Sequence, residues 1–143
     1  MSYAEFKGTL CSSVITGGYK DFFIQPSPTG YYSYTATIKT YKCKQATCKY
    51  GFKYSIHITI YGPGPYWNRV AYENTLKVDF DPTREVTTQV IDYVNLEPGK
   101  WYRMVWETYP VDRAGDCWAW WGCILCADID MLLWQAQASP TPT

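Results

Sequence analysis

Six cysteines are the residues of this 143-residue sequence whose chemistry is most constrained. The stretch CWAWWGC places Cys117 and Cys123 around three tryptophans, and Cys126 follows shortly after. An extended chain rises about 3.3 Å per residue, so Cys117 and Cys123 would lie about 20 Å apart, too far for a disulfide unless the segment loops. The even number and high density of cysteines favour disulfides in an oxidising compartment.

The spacing of the cysteines predicts two kinds of bond. Cys43 and Cys48 are expected to bridge a bend between two strands. The other four are expected to fasten the last segment to the N-terminal strand and to one another, and spacing alone does not choose their pairing. These four are Cys11, Cys117, Cys123 and Cys126.

The same cysteines also allow a zinc interpretation, because Cys123 and Cys126 have the spacing of half a zinc site. The two residues between them are bulky and apolar, with no glycine to shape a knuckle, and the one histidine, His57, lies within a predicted strand. We therefore expect no metal site, no redox CxxC motif and no cofactor.

Groups suited to catalysis are sparse. Only His57 or a carboxylate could activate a nucleophile, and His57 lies on the polar face of its strand. Asp79 with Asp81, and Asp128 with Asp130, each place two carboxylates on one face, as a calcium site or a glycosidase would. Any half-buried strand shows the same alternation, and the sequence has neither an EF-hand loop nor a phosphate-binding glycine motif. An enzyme is the least favoured interpretation.

Aromatic residues exceed the needs of a small β core, with 14 Tyr, 7 Trp and 5 Phe. In an extended CWAWWGC, Trp118 and Trp120 share one face about 7 Å apart, which suits stacking against sugar rings. The loop GPGPYWNRV adds Tyr, Trp, Asn and Arg, residue types that often bind ligands when they lie on loops. Alternatively, both aromatic faces are buried in the core or covered by another copy of the chain. The predicted ligand-binding residues are Tyr66, Trp67, Asn68, Arg69, Trp118 and Trp120.

Alternation of apolar and polar residues predicts the strands that must position these groups. It is cleanest in FKYSIHITIY, where the isoleucines and Tyr54 share one face. The best candidate for a helix is 128–137. Strands are predicted at 3–10, 21–25, 31–42, 52–61, 76–80, 86–94 and 101–108, with a last one within 117–134.

The predicted strands are short and are separated by turns rich in Gly and Pro. Strands 31–42 and 52–61 are expected to form a hairpin whose loop is closed by the Cys43–Cys48 bond. The whole pattern predicts an all-β fold, an antiparallel β-sandwich, immunoglobulin-like or jelly-roll, of about seven to nine strands stapled by disulfides.

The seven residues from Leu96 to Tyr102 sharpen this fold prediction. Their spacing, L-x-P-G-x-x-Y, resembles the tyrosine corner of fibronectin type III and related immunoglobulin-like sandwiches, which also occurs in jelly-roll carbohydrate-binding modules. The resemblance implies architecture alone, with Tyr102 as a structural residue whose hydroxyl bonds to nearby backbone. Tyr102, Met104 and Trp106 are predicted to face inward.

Charge and length narrow the classes of function. Basic and acidic residues balance at 13 each, so no long-range field recruits nucleic acid or an anionic membrane. No apolar run reaches the ~20 residues of a membrane helix. The first ten residues lack the apolar core of a signal peptide, which leaves a cytoplasmic location open beside an extracellular one. Residues 1–136 are predicted to form one domain, followed by a Pro/Thr-rich tail or linker at 137–143.

These features favour a secreted, non-catalytic module that binds polysaccharide or glycan through surface aromatics, as in adhesion. One alternative is a self-associating extracellular structural subunit, in which a homo-oligomer covers the aromatic patches. Another is a membrane-active toxin or agglutinin, whose exposed Trp and Tyr insert at the lipid interface.

Overall fold

Two four-stranded antiparallel sheets, packed face to face, form the fold in the computed structural model. The structure describes residues 2–11, 16–24, 31–108, 114–119 and 123–135, so the predicted tail lies outside the described residues. A 3-10 turn at Ala114–Asp116 precedes β9. The strands are β1 (Ser2–Cys11), β2 (Thr16–Phe23), β3 (Tyr31–Lys42), β4 (Ala46–Thr47), β5 (Phe52–Tyr61), β6 (Val70–Phe80), β7 (Val86–Asn95), β8 (Trp101–Thr108), β9 (Trp118–Ala119) and β10 (Leu125–Gln135).

Sheet A has the strand order β1-β10-β3-β7, and sheet B has the order β2-β8-β5-β6. The short strands β4 and β9 form a separate ribbon. Among the long described strands, β5 and β6 are the one pair that is consecutive in the chain and adjacent in a sheet, since the others alternate between sheets. The predicted all-β antiparallel sandwich with disulfides is therefore confirmed.

The core lies between the sheets and follows the predicted alternation. Along β8, Tyr102, Met104 and Trp106 are buried and their neighbours are not, as the sequence predicted. Along β5, Tyr54 and the three isoleucines are buried in the same way. The buried side chains of one sheet pack against those of the other, which removes both apolar faces from water. This burial is the main favourable contribution to folding.

The predicted tyrosine corner is present. The backbone N–H of Glu97 donates to the Tyr102 hydroxyl oxygen at 2.8 Å, and Tyr102 is buried. Gly99 has a φ of 74°, a conformation that glycine adopts without a steric penalty. Its N–H donates to the Ile24 carbonyl at 2.7 Å, so the corner is tied to the end of β2.

The helix predicted at 128–137 is wrong, because Asp128 to Gln135 belong to strand β10. This strand is central: it pairs with β1 on one side and β3 on the other. Its buried residues alternate through Ala127, Ile129, Met131 and Leu133. Residues such as Met and Leu suit either element, so pairing with two neighbours decides the structure here.

The predicted hairpin of 31–42 with 52–61 is also wrong, because β3 lies in sheet A and β5 in sheet B. Each run is a strand with the predicted bounds, but the chain crosses between sheets after Lys42. Within the predicted hairpin loop, β4 pairs with β9 instead.

The Cys43–Cys48 bond is wrong for the same reason. The loop holds the ribbon strand β4, and its two cysteines reach across to the segment before β10. As expected, Cys117 and Cys123 do not bond to each other, and the N-terminal strand is fastened to the last one. The expectation that the four cysteines bond among themselves is wrong for Cys117 and Cys123, which bond to the two loop cysteines. The bonds are Cys11–Cys126, Cys43–Cys123 and Cys48–Cys117.

Two further strands begin earlier than predicted. β2 starts at Thr16 and not at 21, and β6 starts at Val70 and not at 76. Gly17 and Gly18 obscure the start of β2, since glycine is rare inside strands. Within the described ranges, no helix has the length and apolar character needed to cross a membrane.

Candidate functional site

Strand alternation places aromatic side chains on the outer face of sheet B. Phe22 and Tyr102 are buried, so their neighbours along β2 and β8 point to solvent. The register sets Phe23 opposite Trp101, and their ring centroids lie 5.6 Å apart. Trp101 is 52% exposed, and Tyr19, further along β2, is 65% exposed. Large exposed rings therefore gather near the end of sheet B where β8 begins.

The loop between β5 and β6 brings Trp67 to the same end of sheet B. β5 ends at Tyr61, which lies opposite Arg103 of β8. The N–H of Gly64 donates to the Trp101 carbonyl at 2.9 Å, which fastens the loop to the first residue of β8. Trp67 remains 41% exposed in this position.

Two glycines allow the loop to take this shape. Gly62 has a φ of 126°, which disfavours other residues, and its N–H donates to the Arg69 carbonyl at 2.8 Å across the base of the loop. Gly64 lies directly against the Trp67 indole, since a Cβ at this position would come within 2.7 Å of Cζ2. The close contact between backbone and ring sets where Trp67 rests.

Arg103 lies at the centre of this group of rings. Its guanidinium carbon is 4.8 Å from the ring centroid of Tyr19 and 5.7 Å from that of Trp67. Because β8 lies between β2 and β5, the two rings approach Arg103 from opposite sides. We define the aromatic face as Tyr19, Phe23, Trp67, Trp101 and Arg103.

A carboxylate holds the guanidinium in place. Arg103 donates to Asp21 from Nε at 2.7 Å and from Nη2 at 3.0 Å, the two-pronged geometry that fixes both groups. The hydrogen bond from Arg103 lowers the pKa of the Asp21 carboxyl, and Asp21 raises the pKa of Arg103 in turn. The pair is exposed, so its effect is to orient side chains more than to stabilise the fold.

The residues predicted from the GPGPYWNRV loop lie together on this loop. Arg69 stacks on Tyr66, with its guanidinium carbon 4.5 Å from the ring centroid. Tyr66 is 54% exposed and Asn68 is exposed beside Trp67. The loop is thus a continuation of the aromatic face, which the sequence alone did not connect to β2 or β8.

Trp118 lies elsewhere. It belongs to the β4–β9 ribbon, which is joined to the start of β5: Tyr50 N–H donates to the Gly115 carbonyl at 3.1 Å. β5 extends about 30 Å from Phe52 to Tyr61, and Trp67 follows its far end. Trp67 and Trp118 therefore do not form one site, and Trp118 is 53% exposed in its own position. Trp120 lies outside the described residues.

Sequence reasoning missed four members of the aromatic face. Trp101 and Arg103 carried a usable signal, because the same alternation that placed Tyr102 inside places its two neighbours outside. Tyr19 carried none, since the predicted strand began after it. Its proximity to Arg103 depends on the β2–β8 register, which no local pattern reveals.

The groups considered for catalysis or calcium binding all have neighbours of their own. His57 Nδ1 lies 3.0 Å from the Thr75 hydroxyl, and His57 is a half-buried strand residue. Asp128 accepts hydrogen bonds from two hydroxyls, and the cleft it lines also contains two lysines. Cationic neighbours disfavour a metal ion there. The partners of the carboxylates are Lys53 for Asp79, Thr83 and Arg84 for Asp81, Thr9 and Tyr41 for Asp128, and the register partner Lys7 for Asp130.

Comparison with known proteins reveals similarity at the level of the fold. No protein-family model and no curated protein sequence matches the chain. A structure described as "CBM4 structure and function" is similar with a TM-score of 0.41 and 9% identity, over 84% of this chain and 61% of that chain. Another, "Family 16 Carbohydrate Binding Module-2", has a TM-score of 0.42 and 12% identity, over 90% and 76%.

The chain thus spans about three-fifths of the length of the first of these structures. The fold-level resemblance to β-sandwiches of carbohydrate-binding modules, expected from the tyrosine corner, is present. At these TM-scores the resemblance carries no argument about a ligand, which must come from the side chains themselves.

Proposed function

We propose that the chain is a non-catalytic binding module that recognises polysaccharide or glycan chains through the aromatic face. The observation that carries this proposal is the position of Tyr19 and Trp67 at the guanidinium of Arg103, with Trp101 two residues earlier on the same strand; all three rings are exposed. Exposed rings of this size are costly to leave in water, and a cluster of them is typical of an interaction surface.

The chemistry of the face suits a carbohydrate. The apolar side of a sugar ring stacks on an indole or phenol, while its hydroxyls need hydrogen-bond partners at the edge of the contact. Arg103 and Asp21 supply such donors and acceptors between the rings. The near-neutral pair leaves no strong field, which is consistent with an uncharged ligand. Because the face is open, an extended chain can pass across it.

An extracellular location is part of the proposal. All six cysteines of the described chain form disulfides, as suits an oxidising compartment. Such a module would act outside the cell, where polysaccharide is abundant and a fold closed by disulfides resists unfolding.

The test is affinity electrophoresis through gels that contain single polysaccharides, supported by a glycan array. Trp67→Ala and Trp101→Ala should each weaken binding to the retained polysaccharide about tenfold, equivalent to ~1.4 kcal/mol. Both side chains are exposed, so unfolding free energies should change by less than about 0.5 kcal/mol.

The matched control is Tyr50→Ala. Tyr50 is 63% exposed but lies at the opposite end of β5, so its loss should leave the affinity unchanged. Trp118→Ala separates the β4–β9 ribbon from the aromatic face. No retention on any polysaccharide would sink the proposal, and loss of binding in Trp118→Ala alone would move the site to the ribbon.

Self-association is a second candidate, favoured by strand β7. β7 is one of the two outer strands of sheet A, and Ile91 and Tyr93 on it are 64% and 58% exposed. An edge strand with apolar side chains is a template for pairing with another copy. Sedimentation at several concentrations should then show a dimer that Ile91→Lys dissociates, and a monomer at all concentrations would exclude this function.

A further inference from the structure

Four sulfur atoms converge where the ends of β1 and β3 meet the start of β10. Two disulfides, Cys11–Cys126 and Cys43–Cys123, lie side by side there. Cys126 Sγ is 3.5 Å from Cys43 Sγ and 3.6 Å from Cys123 Sγ, although it is bonded to neither. The sulfurs of Cys11, Cys123 and Cys126 all lie within 4.8 Å of one another. We define these four residues as the sulfur cluster.

We propose that the sulfur cluster is a four-thiolate zinc site when the chain is reduced. Zinc binds cysteine sulfur at about 2.3 Å in a tetrahedron, which sets the sulfurs about 3.8 Å apart. The unbonded contacts of Cys126 are already close to this separation. For a metal ion to fit among them, the two bonded pairs must open, and the sulfur of Cys43, which is outside the group within 4.8 Å, must move closer to that of Cys11. Both changes require rotation of the cysteine side chains.

The backbone keeps the four ligands together without the sulfur bonds. Cys11 and Cys126 are register partners in the β1–β10 pairing, and β10 is held on its other side by β3. The N–H of Cys43 donates to the Ile124 carbonyl at 2.9 Å, which places Cys43 beside the segment that carries Cys123. Reduction therefore frees the sulfurs while strand pairing still positions their Cα atoms.

The two bulky residues between Cys123 and Cys126, which argued against zinc in the sequence, do not obstruct a metal ion in the folded chain. Ile124 and Leu125 separate Cys123 from Cys126 and were expected to crowd a metal, yet both side chains are buried and belong to the core. Along β10, alternation turns Leu125 toward the core and Cys126 toward the opposite face of the sheet. The other two ligands come from distant parts of the chain, so spacing could not reveal them.

The surroundings of the cluster suit a metal site that carries excess negative charge. Zn²⁺ with four thiolates has a net charge of about two minus, and two lysines lie close by. Lys42 Nζ donates to the carbonyl of Cys43 at 3.0 Å, and Lys44 lines a cleft of about 170 Å³ together with Cys43 and Cys123. This cleft gives an ion a route from solvent.

The disulfide and zinc states use the same sulfurs and exclude each other. A dithiol reductant supplies each disulfide with two electrons and two protons. The dithiol is itself oxidised to a cyclic disulfide. The four thiols then lose their protons to solvent as zinc binds. An oxidising compartment keeps the disulfides, and a reducing compartment allows the metal.

The experiment uses the full chain, reduced with dithiothreitol and desalted without oxygen, then titrated with Co²⁺ and Zn²⁺. One cobalt per chain should bind, with the intense visible bands of tetrahedral thiolate coordination, and zinc should displace it. In the unaltered reduced chain, zinc should block iodoacetamide at Cys11, Cys43, Cys123 and Cys126. Cys48 and Cys117 should react equally with and without zinc.

Two variants sharpen the result. Cys43→Ser should lower the affinity for cobalt by more than about tenfold and change the visible spectrum. The matched control, Cys48→Ser with Cys117→Ser, removes the disulfide that is not part of the cluster and should keep the stoichiometry and spectrum. The proposal is overturned if the reduced chain binds no cobalt, or if zinc protects no cysteine of the cluster. Because alkylation is measured on the unaltered chain, it tests the proposal even if Cys43→Ser fails to fold.

Discussion

At the residue scale, Arg103 organises the aromatic face because a planar guanidinium can stack and form hydrogen bonds at once. It contacts the rings of Tyr19 and Trp67 while two of its nitrogens bind Asp21. Tyr19 and Asp21 both come from β2, and Trp67 comes from the loop between β5 and β6. The geometry of the face therefore depends on one side chain and on the carboxylate that orients it.

The Asp21 carboxylate predicts how binding depends on pH. Its pKa is lowered by the hydrogen bond from Arg103, so it stays ionised at pH values where an ordinary carboxyl is being protonated. Stability from a lowered pKa is present above the ordinary value and is lost as pH falls through the lowered one. Affinity for a neutral polysaccharide should therefore stay constant from about pH 8 to about pH 4 and fall only below that.

Isothermal titration calorimetry across this pH range measures the effect. Asp21→Asn should bind more weakly at neutral pH and lose the decline at low pH, since no proton then releases Arg103. A decline centred on the ordinary carboxyl pKa, or one that persists in Asp21→Asn, would assign the pH dependence to another group.

Gly64 supplies a second prediction at this scale. A methyl group there would come within 2.7 Å of the Trp67 indole, so Gly64→Ala must displace the ring or the loop. Binding should weaken in the same direction as in Trp67→Ala but by a smaller factor, about threefold. The near-UV circular dichroism of the tryptophans should change while far-UV spectra stay the same. Unchanged affinity with an altered Trp67 signal would show that the ring position is unimportant.

At the element scale, the corner before β8 determines how that strand enters sheet B. Tyr102 is buried at its start and accepts a hydrogen bond from Glu97, and the corner is bonded to Ile24 beyond the end of β2. A local motif here has a long-range result, because β8 then presents Trp101 and Arg103 outward. The sequence predicted this element correctly since all its determinants lie within seven residues.

Tyr102→Phe tests the contribution of this corner. The change removes one hydrogen bond and keeps the buried ring, so the free energy of unfolding should fall by about 1 kcal/mol. Urea denaturation followed by fluorescence measures it, with Tyr50→Phe as the control at an exposed position. Equal stability of Tyr102→Phe and the unaltered chain would mean that ring packing alone maintains the corner.

At the scale of the whole molecule, phenol groups connect the two sheets through the core. Tyr34 of sheet A and Tyr72 of sheet B have hydroxyl oxygens 2.7 Å apart, and Tyr72 donates to Asp92 at 2.6 Å. Within sheet B, Tyr54 of β5 accepts a hydrogen bond from Thr108 of β8. Among described residues, no buried side-chain nitrogen or oxygen lacks a partner, which is what a stable polar core requires.

Burial of these phenols predicts alkaline unfolding. Burial raises the pKa values of Tyr34, Tyr54, Tyr72 and Tyr102, so the folded chain holds protons that the unfolded chain loses above about pH 10. Stability is then full below the ordinary tyrosine pKa and falls as pH rises beyond it. The free energy of unfolding in urea should drop steeply between about pH 9.5 and about pH 11. Constant stability over that range would contradict the raised values.

The sequence by itself determined the fold class, the bounds of several strands, which residues of β5 and β8 face the core, and the tyrosine corner. Each depends on neighbours within a few residues, because strand alternation and turn chemistry are local. It also located the Trp67 loop, since proline, glycine and aromatic residues identify it without reference to the rest of the chain.

Only the tertiary structure decided which strands pair, which cysteines bond and which aromatic residues meet. Cys43 bonds to Cys123 and not to Cys48, and Trp67 contacts Arg103, which also contacts Tyr19, and does not share a site with Trp118. The alternation along a strand indicates which of its faces is apolar, but not which strand of the other sheet covers that face. Consecutive long strands here lie in different sheets almost throughout. Partners far apart in sequence are chosen by the packing of two sheets, which no local pattern encodes.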